Sequence, residues 1–125
     1  MAEAPTILVA DDDAEWRNLI SFALQRAGYR VVLAQNGKGV LPLAATNRPA
    51  AFILDHDLGD MTGGQVCRDI KALPQHQSTP VVILTAHAEY LPGLMAGTPP
   101  DQFVVKTGST EELLAVLATL VPLAA

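Results

Sequence analysis

The stretch Ile7-Leu8-Val9-Ala10-Asp11-Asp12-Asp13 decides the fold, because a short run of strand-forming apolar residues ends directly on three carboxylates. Further apolar runs follow along the chain, and residues with helical spacing separate each run from the next. A strand that is apolar throughout is covered on both faces, so the pattern predicts an α/β fold with a parallel sheet between two layers of helices. We predict the five strands at residues 6–10, 29–34, 51–54, 80–84 and 103–105.

The first and third predicted helices have clear start or stop signals, whereas the second, around residues 40–46, is a weaker prediction. Gly28 is expected to end the first helix, after apolar residues that recur at helical spacing. The second helix has to hold Pro42 in its first turn or kink there. Thr62 and Gln65 have the spacing of a capping box, which predicts that the third helix starts at about Gly63.

The last two predicted helices are unusual. The fourth, residues 88–96, contains a Pro-Gly pair, so we expect it to be short or irregular. Ser109 and Glu112 have the spacing of a capping box in front of the fifth helix, which runs from Leu113 to Leu120 and is apolar on nearly all sides. Such a helix needs cover on both sides. The sheet covers one side, and we expect a second subunit or an adjoining domain to cover the other.

Composition excludes several classes of protein. Half of the 125 residues are apolar and only 17% are charged, which predicts one folded domain over residues 1–125. The single cysteine, Cys67, excludes an intramolecular disulfide and a cysteine-based zinc site. The N-terminal residues lack the pattern of a signal peptide, so we expect a cytoplasmic protein. The longest nearly apolar run, residues 113–125, is shorter than the about 20 residues that a membrane span needs.

The negative charge is concentrated in two short places. The net charge is −5, from 13 acidic and 8 basic residues. Five of the acids lie at residues 11–13, 55 and 57, and the remaining acids equal the bases in number. An acidic chain without a basic stripe is a poor ligand for nucleic acid or for an anionic membrane. Local clustering of carboxylates instead favours a site for a hard cation.

Polar side chains collect where the predicted strands end, and ligands of such sheets bind beyond those carboxyl ends. Close carboxylates repel each other unless a cation lies between them, and carboxylates suit Mg²⁺. A carboxylate can also attack phosphorus, while a hydroxyl and an ammonium hold the other phosphoryl oxygens. The side chains at the strand ends are Asp11, Asp12, Asp13, Asp55, Thr85, Ala86 and Lys106.

Together these residues resemble the receiver domain of two-component response regulators. The resemblance extends from about Thr6 to Leu120 and implies a doubly wound, flavodoxin-like sheet in the order 2-1-3-4-5, flanked by five helices. The motifs that carry it are Ile7-Leu8-Val9-Ala10-Asp11-Asp12-Asp13, Ile53-Leu54-Asp55 followed by Met61-Thr62-Gly63, Val82-Ile83-Leu84-Thr85-Ala86, and Phe103-Val104-Val105-Lys106.

The resemblance implies a phosphoacceptor site with Mg²⁺ as its cofactor. Asp55 would accept the phosphoryl group from a histidine kinase or a phosphotransfer protein. Asp12 and Asp55 would bind Mg²⁺ directly, together with the backbone carbonyl of Asp57, and Asp11 would act through water. The domain would then be a signalling switch in a phosphorelay rather than an enzyme with turnover.

The same resemblance assigns roles to the later strand ends. Thr85 would bind the phosphoryl group and act as a switch residue, and Lys106 would pair with that group. Phe103 matches the position of the aromatic switch residue, and Ala86 is small, as access to the phosphoryl group requires. In the family the last three elements form the usual output face.

Two departures from the family pattern bear on these roles. The family usually has a cis proline after the lysine, where this chain has Thr107. A cis bond before another residue costs about 2.5–4 kcal/mol, so we predict a trans or a strained cis bond, which bears directly on the position of Lys106. Asp57 and His87 occupy positions that tune dephosphorylation in the family. We expect Asp57 either to join the outer shell of the metal or to repel the incoming phosphoryl group, and His87 to pair with Asp57 across the crevice.

Three other functions are compatible with parts of the pattern. Asp55 and Asp57 imitate the Asp-x-Asp motif of phosphatases of the haloacid dehalogenase type. However, the only acids after the lysine region are Glu111 and Glu112, in the predicted capping box, and the acceptor follows the third strand rather than the first. A flavodoxin-like cofactor binder is disfavoured, because three aspartates repel phosphate. A phosphorylation-independent interaction module remains open because of Thr107 and the irregular fourth helix.

The remaining aromatic and histidine side chains have simpler interpretations. We expect Trp16 to pack in the core rather than contact a ligand. His56 and His76 are predicted to face solvent, and Cys67 to be a small core hydrophobe.

Overall fold

The computed structural model describes residues 4–86, 99–107 and 109–123. Within these ranges the chain forms a five-stranded parallel sheet in the order β2-β1-β3-β4-β5, as expected. The strands are β1 (Thr6–Ala10), β2 (Arg30–Ala34), β3 (Ala51–Asp55), β4 (Val81–Thr85) and β5 (Gln102–Val105).

Helices cover both faces of this sheet. In the described part of the chain they are α1 (Ala14–Ala27), α2 (Val40–Asn47), α3 (Gly63–Lys71) and α4 (Glu111–Leu120), with a 3₁₀ turn at Pro74–His76. The helix predicted at residues 88–96 lies outside the described residues. No helix of the described ranges is both long enough and apolar enough to span a membrane.

The predicted helix signals have the expected roles in α1 to α3. Gly28 follows α1 with φ +110°, a left-handed conformation that glycine adopts without steric cost. Pro42 lies in the first turn of α2. Thr62 Oγ1 accepts from the Gln65 amide at 3.1 Å, and Gln65 Oε1 accepts from the Thr62 amide at 3.0 Å. The capping box is therefore confirmed.

Two apolar layers hold the helices against the sheet. Successive strand residues point to opposite faces, so Leu8 and Phe52 pack on the side of α2 and α3, whereas Ile7 and Ile53 pack on the side of α1 and α4. The central strands β1, β3 and β4 are buried almost throughout. This burial fixes where each strand ends. Cys67 lies buried in the first layer, as predicted.

Two local predictions are wrong. The helix α4 begins at Glu111. Ser109 Oγ accepts from the Glu111 amide at 3.2 Å, and the predicted capping box with Glu112 is not formed. His76 is only 6% exposed rather than solvent-facing. The 3₁₀ turn directs its ring edge-on against Phe52, with centroids 5.2 Å apart, and Nδ1 lies 3.0 Å from Thr79 Oγ1.

The start of α3 lies directly against the end of β3. The Gly63 amide donates to the His56 carbonyl at 2.8 Å. A Cβ at position 63 would collide with the backbone carbonyl of Asp55. Only glycine permits this approach, which places the first turn of α3 beside the last residue of β3.

Candidate functional site

The polar strand ends come together at the carboxyl edge of the sheet. Pairing of β1 with β3 matches Ala10 to Leu54, so Asp11 and Asp55 are neighbours there. Thr85 ends β4 and Lys106 directly follows β5. They border a pocket of about 320 Å³, whose lining residues are Asp12, Asp13, Trp16, Asp55, His56, Asp57, Thr85, Ala86 and Lys106.

Three carboxylates lie close together at this edge of the sheet. One oxygen from each of Asp11, Asp12 and Asp55 lies within 4.8 Å of the other two. Asp11 is fully buried, Asp55 is 9% exposed and Asp12 is exposed. Three carboxylate oxygens at this separation, open to water on the Asp12 side, form a set that can hold a hard divalent cation.

The ammonium of Lys106 lies on the buried side of these carboxylates. Its Nζ is 2.9 Å from Asp11 Oδ2 and 3.3 Å from Asp55 Oδ2, and the side chain is only 8% exposed. The Lys106 amide donates to the Thr85 carbonyl at 2.7 Å, which fixes the backbone. No peptide bond of the described residues is cis, so the bond to Thr107 is trans, the first of the two predicted alternatives. Thr107 is therefore compatible with a lysine that reaches the acidic cluster.

The cluster carries more negative charge than Lys106 offsets. The pKa of Asp55 is raised to about 6, first by burial and next by the charge of Asp11, with a smaller contribution from Asp12. Lys106 lowers this pKa without offsetting these effects. A divalent cation between the carboxylates would favour the ionised form of Asp55. The electrostatics of the residues present therefore fit a metal.

The loop after β3 is held by its own acidic residues. Asp57 Oδ1 accepts from the Gly59 amide at 2.9 Å. The backbone of Asp57 also pairs with that of Thr62 in a single antiparallel β-bridge. Asp60 accepts from the Gly37 and Lys38 amides at 2.8 and 2.9 Å, and these bonds lower its pKa. The Asp57 carboxylate is therefore turned toward its own loop, while the residue still lines the pocket.

Other predicted site residues lie at the end of β4 and in β5. Thr85 is buried and Ala86 is exposed at the pocket wall. Phe103 is half-buried and packs on the side of α2 and α3. His87 lies outside the described residues, and so does any pairing of it with Asp57.

Sequence reasoning missed two pocket residues, His56 and Trp16. His56, predicted to face solvent, is half-buried and lines the pocket. Trp16 packs against the core as expected, and it also lines the pocket. Lys106 Nζ lies 5.1 Å from the centroid of its ring, within the range of a cation–π contact. The available signal was its place in the first turn of a helix that follows three pocket acids, because that turn must border the carboxyl edge.

Comparison with curated proteins shows the relatives of this chain. Response regulator MprA from Mycobacterium sp. (strain KMS) is 38% identical over 117 residues, which are 91% of this chain and 49% of that protein. MprA from Mycobacterium avium (strain 104) is 36% identical over the same length. The chain spans about half the length of the curated relatives it matches.

Solved structures share the fold closely. Chemotaxis response regulator CheY4 of Vibrio cholerae superimposes with a TM-score of 0.87 at 27% identity, covering 94% of this chain and 99% of that one. Response regulator protein TrrA from Thermotoga maritima, in complex with Mg²⁺ and BeF, gives 0.84 at 28% identity with the same coverage. The family model described as the response regulator receiver domain matches residues 7–118. The chain therefore belongs to the response regulator receiver domains of two-component signalling systems.

Proposed function

We propose that Asp55 accepts a phosphoryl group, with Mg²⁺, from the phosphohistidine of a histidine kinase or a phosphotransfer protein. The observation that carries the proposal is the position of Asp55 between two further carboxylates and a buried ammonium, in a pocket open to solvent. The Asp55 carboxylate held there can act as a nucleophile. The Lys106 ammonium lies on one side of it, and the carboxylates that can bind a metal ion lie on the other.

The metal would be held by Asp12, Asp55 and the backbone carbonyl of Asp57, with Asp11 acting through water. Bound there, Mg²⁺ would neutralise charge on the carboxylates and on the phosphoryl oxygens. The ionised form of Asp55, which burial disfavours by raising its pKa to about 6, would be favoured by such a cation.

The residues of the chain carry out the transfer itself. An oxygen of ionised Asp55 attacks phosphorus, the new P–O bond replaces the P–N bond of the phosphohistidine, and the leaving imidazole takes the electron pair of the broken bond. The ammonium of Lys106 then exchanges its contact with Asp55 for one with a phosphoryl oxygen. The hydroxyl of Thr85 donates to a second phosphoryl oxygen.

The stored phosphoryl group would act as a signal rather than turn over a substrate. Thr85 and Phe103 are the proposed switch residues, since Thr85 ends β4 at the pocket and Phe103 lies in the neighbouring strand β5. Asp57, Ala86 and His87 are proposed to tune the lifetime of the acyl phosphate. Unchanged lifetimes in Asp57→Asn and His87→Ala variants would refute tuning by those two residues.

The output side of the domain is proposed to include α4. Leu113 and Leu117 are buried against the sheet, while Leu114, Val116 and Leu120 remain half-buried. A second copy or an adjoining domain would cover this apolar surface. We propose a single domain over residues 1–125 in the cytoplasm. Its acidic charge disfavours direct binding of nucleic acid or membranes by the domain.

Two competing functions are less well supported. A phosphorylation-independent module was favoured by Thr107, yet Lys106 reaches Asp11 and Asp55 with Thr107 in place. A haloacid dehalogenase-type phosphatase needs a second acid pair after the lysine. Glu111 and Glu112 begin α4, and neither is among the described residues that line the pocket.

The proposal is tested by incubating the protein with Mg²⁺ and acetyl phosphate and recording its intact mass. We expect one phosphoryl adduct on the wild type and on Asp101→Asn, an acid paired with a lysine elsewhere. We expect none on Asp55→Asn, and none when EDTA removes the metal. An equal adduct on Asp55→Asn, or a wild type that binds neither phosphoryl nor beryllofluoride, would contradict the proposal.

A further inference from the structure

An aromatic ring covers the one lysine of the pocket described here. The ring of Trp16 lies 5.1 Å from Lys106 Nζ, and the ammonium is otherwise bound by Asp11 and Asp55. We propose that Trp16 is a positioning residue that holds the Lys106 ammonium in the pocket during phosphoryl transfer. This inference rests on the proposed phosphoacceptor function for its kinetic consequence, but the contact itself does not.

The ring is held firmly in this place. It belongs to the first turn of α1, whose start is capped by Asp13 Oδ1 accepting from the Glu15 amide at 2.9 Å. Arg17 Nη1 donates to the Asp11 carbonyl at 2.8 Å, which ties the same turn to the end of β1. The ring also packs against the apolar layer beneath α1. Trp16 can therefore fix the position of a flexible side chain without being displaced itself.

Lysine needs such a contact more than the carboxylates do. Lys106 lies beyond the last residue of β5, and its four-carbon side chain has many rotamers. It must exchange its contact with Asp55 for one with the phosphoryl group. An aromatic face attracts the cation and offers no oxygen acceptor, so it does not replace the contacts of the ammonium with Asp11 and Asp55. The ring can therefore hold Lys106 before and after the exchange without competing with the phosphoryl oxygens.

The half-buried ring also borders the pocket beside the ammonium, so it shields Lys106 from water. Loss of the ring should let the ammonium adopt other rotamers and become hydrated. We expect Trp16→Ala to slow phosphorylation by acetyl phosphate by about fivefold, the size of one cation–π contact expressed as a rate. Trp16→Phe, which keeps a smaller aromatic face, should lose less.

The first experiment measures the contact directly, without phosphoryl transfer. Trp16 is the single tryptophan of the chain, so the emission spectrum of the metal-free protein reports on its ring alone. We expect Lys106→Met to change the emission, Lys106→Arg to restore it, and Lys38→Met, at an exposed loop lysine, to leave it unchanged. Identical spectra for wild type and Lys106→Met would overturn the proposal.

The second experiment is a double-mutant cycle on the rate of adduct formation with acetyl phosphate. Phe22→Ala is the matched control, because Phe22 lies on the same helix with Arg26 Cζ 5.7 Å from its ring, yet it does not line the pocket. If Trp16 acts through Lys106, Trp16→Ala slows the wild type and has no further effect in Lys106→Met. Equal slowing in both backgrounds, or no slowing in either, would overturn it.

Two checks separate the possible failures. Thermal unfolding midpoints show whether each variant is folded, and Trp16→Phe supplies the cycle if Trp16→Ala does not fold. If no protein in the series accepts a phosphoryl group while Lys106→Met still changes the emission, the proposed function fails and the contact stands. If the wild type is phosphorylated normally and the cycle shows no coupling, the positioning role fails and the proposed function stands.

Discussion

Two lysine–aspartate clusters lie at opposite edges of the same sheet, and they differ in charge balance. At the carboxyl edge, Lys106 faces Asp11 and Asp55, with Asp12 beside them. At the amino edge, Lys71 Nζ lies 2.9 Å from Asp101 Oδ2. Lys71 also donates to the Thr79 carbonyl at 2.7 Å and to the Gln77 carbonyl at 3.5 Å, while the Val81 amide donates to Asp101 Oδ2 at 2.7 Å.

The same residue types tie structural elements together at the amino edge and are proposed to carry out chemistry at the carboxyl edge. At the amino edge each charge has an opposite charge and backbone partners, so the cluster ties the end of α3 to the starts of β4 and β5. At the carboxyl edge the carboxylates exceed the ammonium, which disfavours the folded state until a cation binds. The opposite effects of the two clusters on stability can be measured.

The largest expected effect comes from removing the two lysines in turn. Lys106→Met should slow phosphorylation by acetyl phosphate on the order of 100-fold, because the buried ammonium proposed to bind the transferred group is lost. Lys71→Met should leave that rate unchanged, since Lys71 lies at the far edge. The measurement is the initial rate of adduct formation at saturating Mg²⁺. Similar losses in the two variants would show that the edges are not functionally distinct.

Neutralising one aspartate at each edge should change stability in opposite directions. The folded chain raises the pKa of Asp55 from 3.8 to about 6, so above pH 6 its charge opposes folding. At pH 7 without metal, Asp55→Asn should therefore raise the free energy of unfolding, by about 1–2 kcal/mol. Asp101→Asn should lower it by about 0.5–1 kcal/mol, as Asp101 is partly exposed. Urea unfolding in EDTA measures both.

Magnesium provides the control for that pair of variants. It should stabilise the wild type and Asp101→Asn, which retain the three carboxylates, and have little effect on Asp55→Asn. Destabilisation by Asp55→Asn in EDTA would contradict the charge surplus inferred for the carboxyl edge.

The smallest expected effect is a pH dependence confined to the amino edge. Burial lowers the pKa of His76 below its ordinary value of 6.5. The unfolded chain therefore binds this proton first as pH falls, and the folded state loses stability as pH decreases through 6.5. Above that pH the contribution of His76 is fully retained. His76→Gln, which cannot titrate, should lose less stability than the wild type on going from pH 8 to pH 5.5.

Urea unfolding at several pH values measures this difference, and subtraction of the two curves cancels the titration of all other groups. Mg²⁺ should leave the difference unchanged, because His76 packs at Phe52, away from the acidic cluster. If the free energy of unfolding varies with pH in parallel for the wild type and His76→Gln, His76 does not cause the loss of stability at low pH.

The strands and the carboxyl-edge acids were predictable from the sequence because they depend on apolar patterning. A buried strand ends where its apolar run ends, and parallel strands bring their ends to one edge. Asp11, Asp55, Thr85 and Lys106 therefore lie at one edge of the structure, as the pattern predicts. The roles assigned to them stay proposals until the adduct is measured.

Contacts between loops and helix ends were not predictable in the same way. Lys71 and Asp101 pair across 30 residues through loops that no periodic pattern describes. His76 is buried because it lies in a 3₁₀ turn. Ser109 does not form the predicted capping box with Glu112, because α4 begins at Glu111 and Thr110 is its N-cap residue. Trp16 packs in the core and borders the pocket at once, since the rotation of α1 against the sheet decides which way its first turn faces.

The close approach at Gly63 limits how this domain can vary. Every other amino acid brings a Cβ, which would collide with the backbone carbonyl of Asp55. A replacement there must shift either α3 or the strand that carries the proposed acceptor, whatever its charge or polarity. Variation at position 63 is therefore limited by shape before chemistry. The position of the proposed acceptor carboxylate depends partly on a residue that has no side chain.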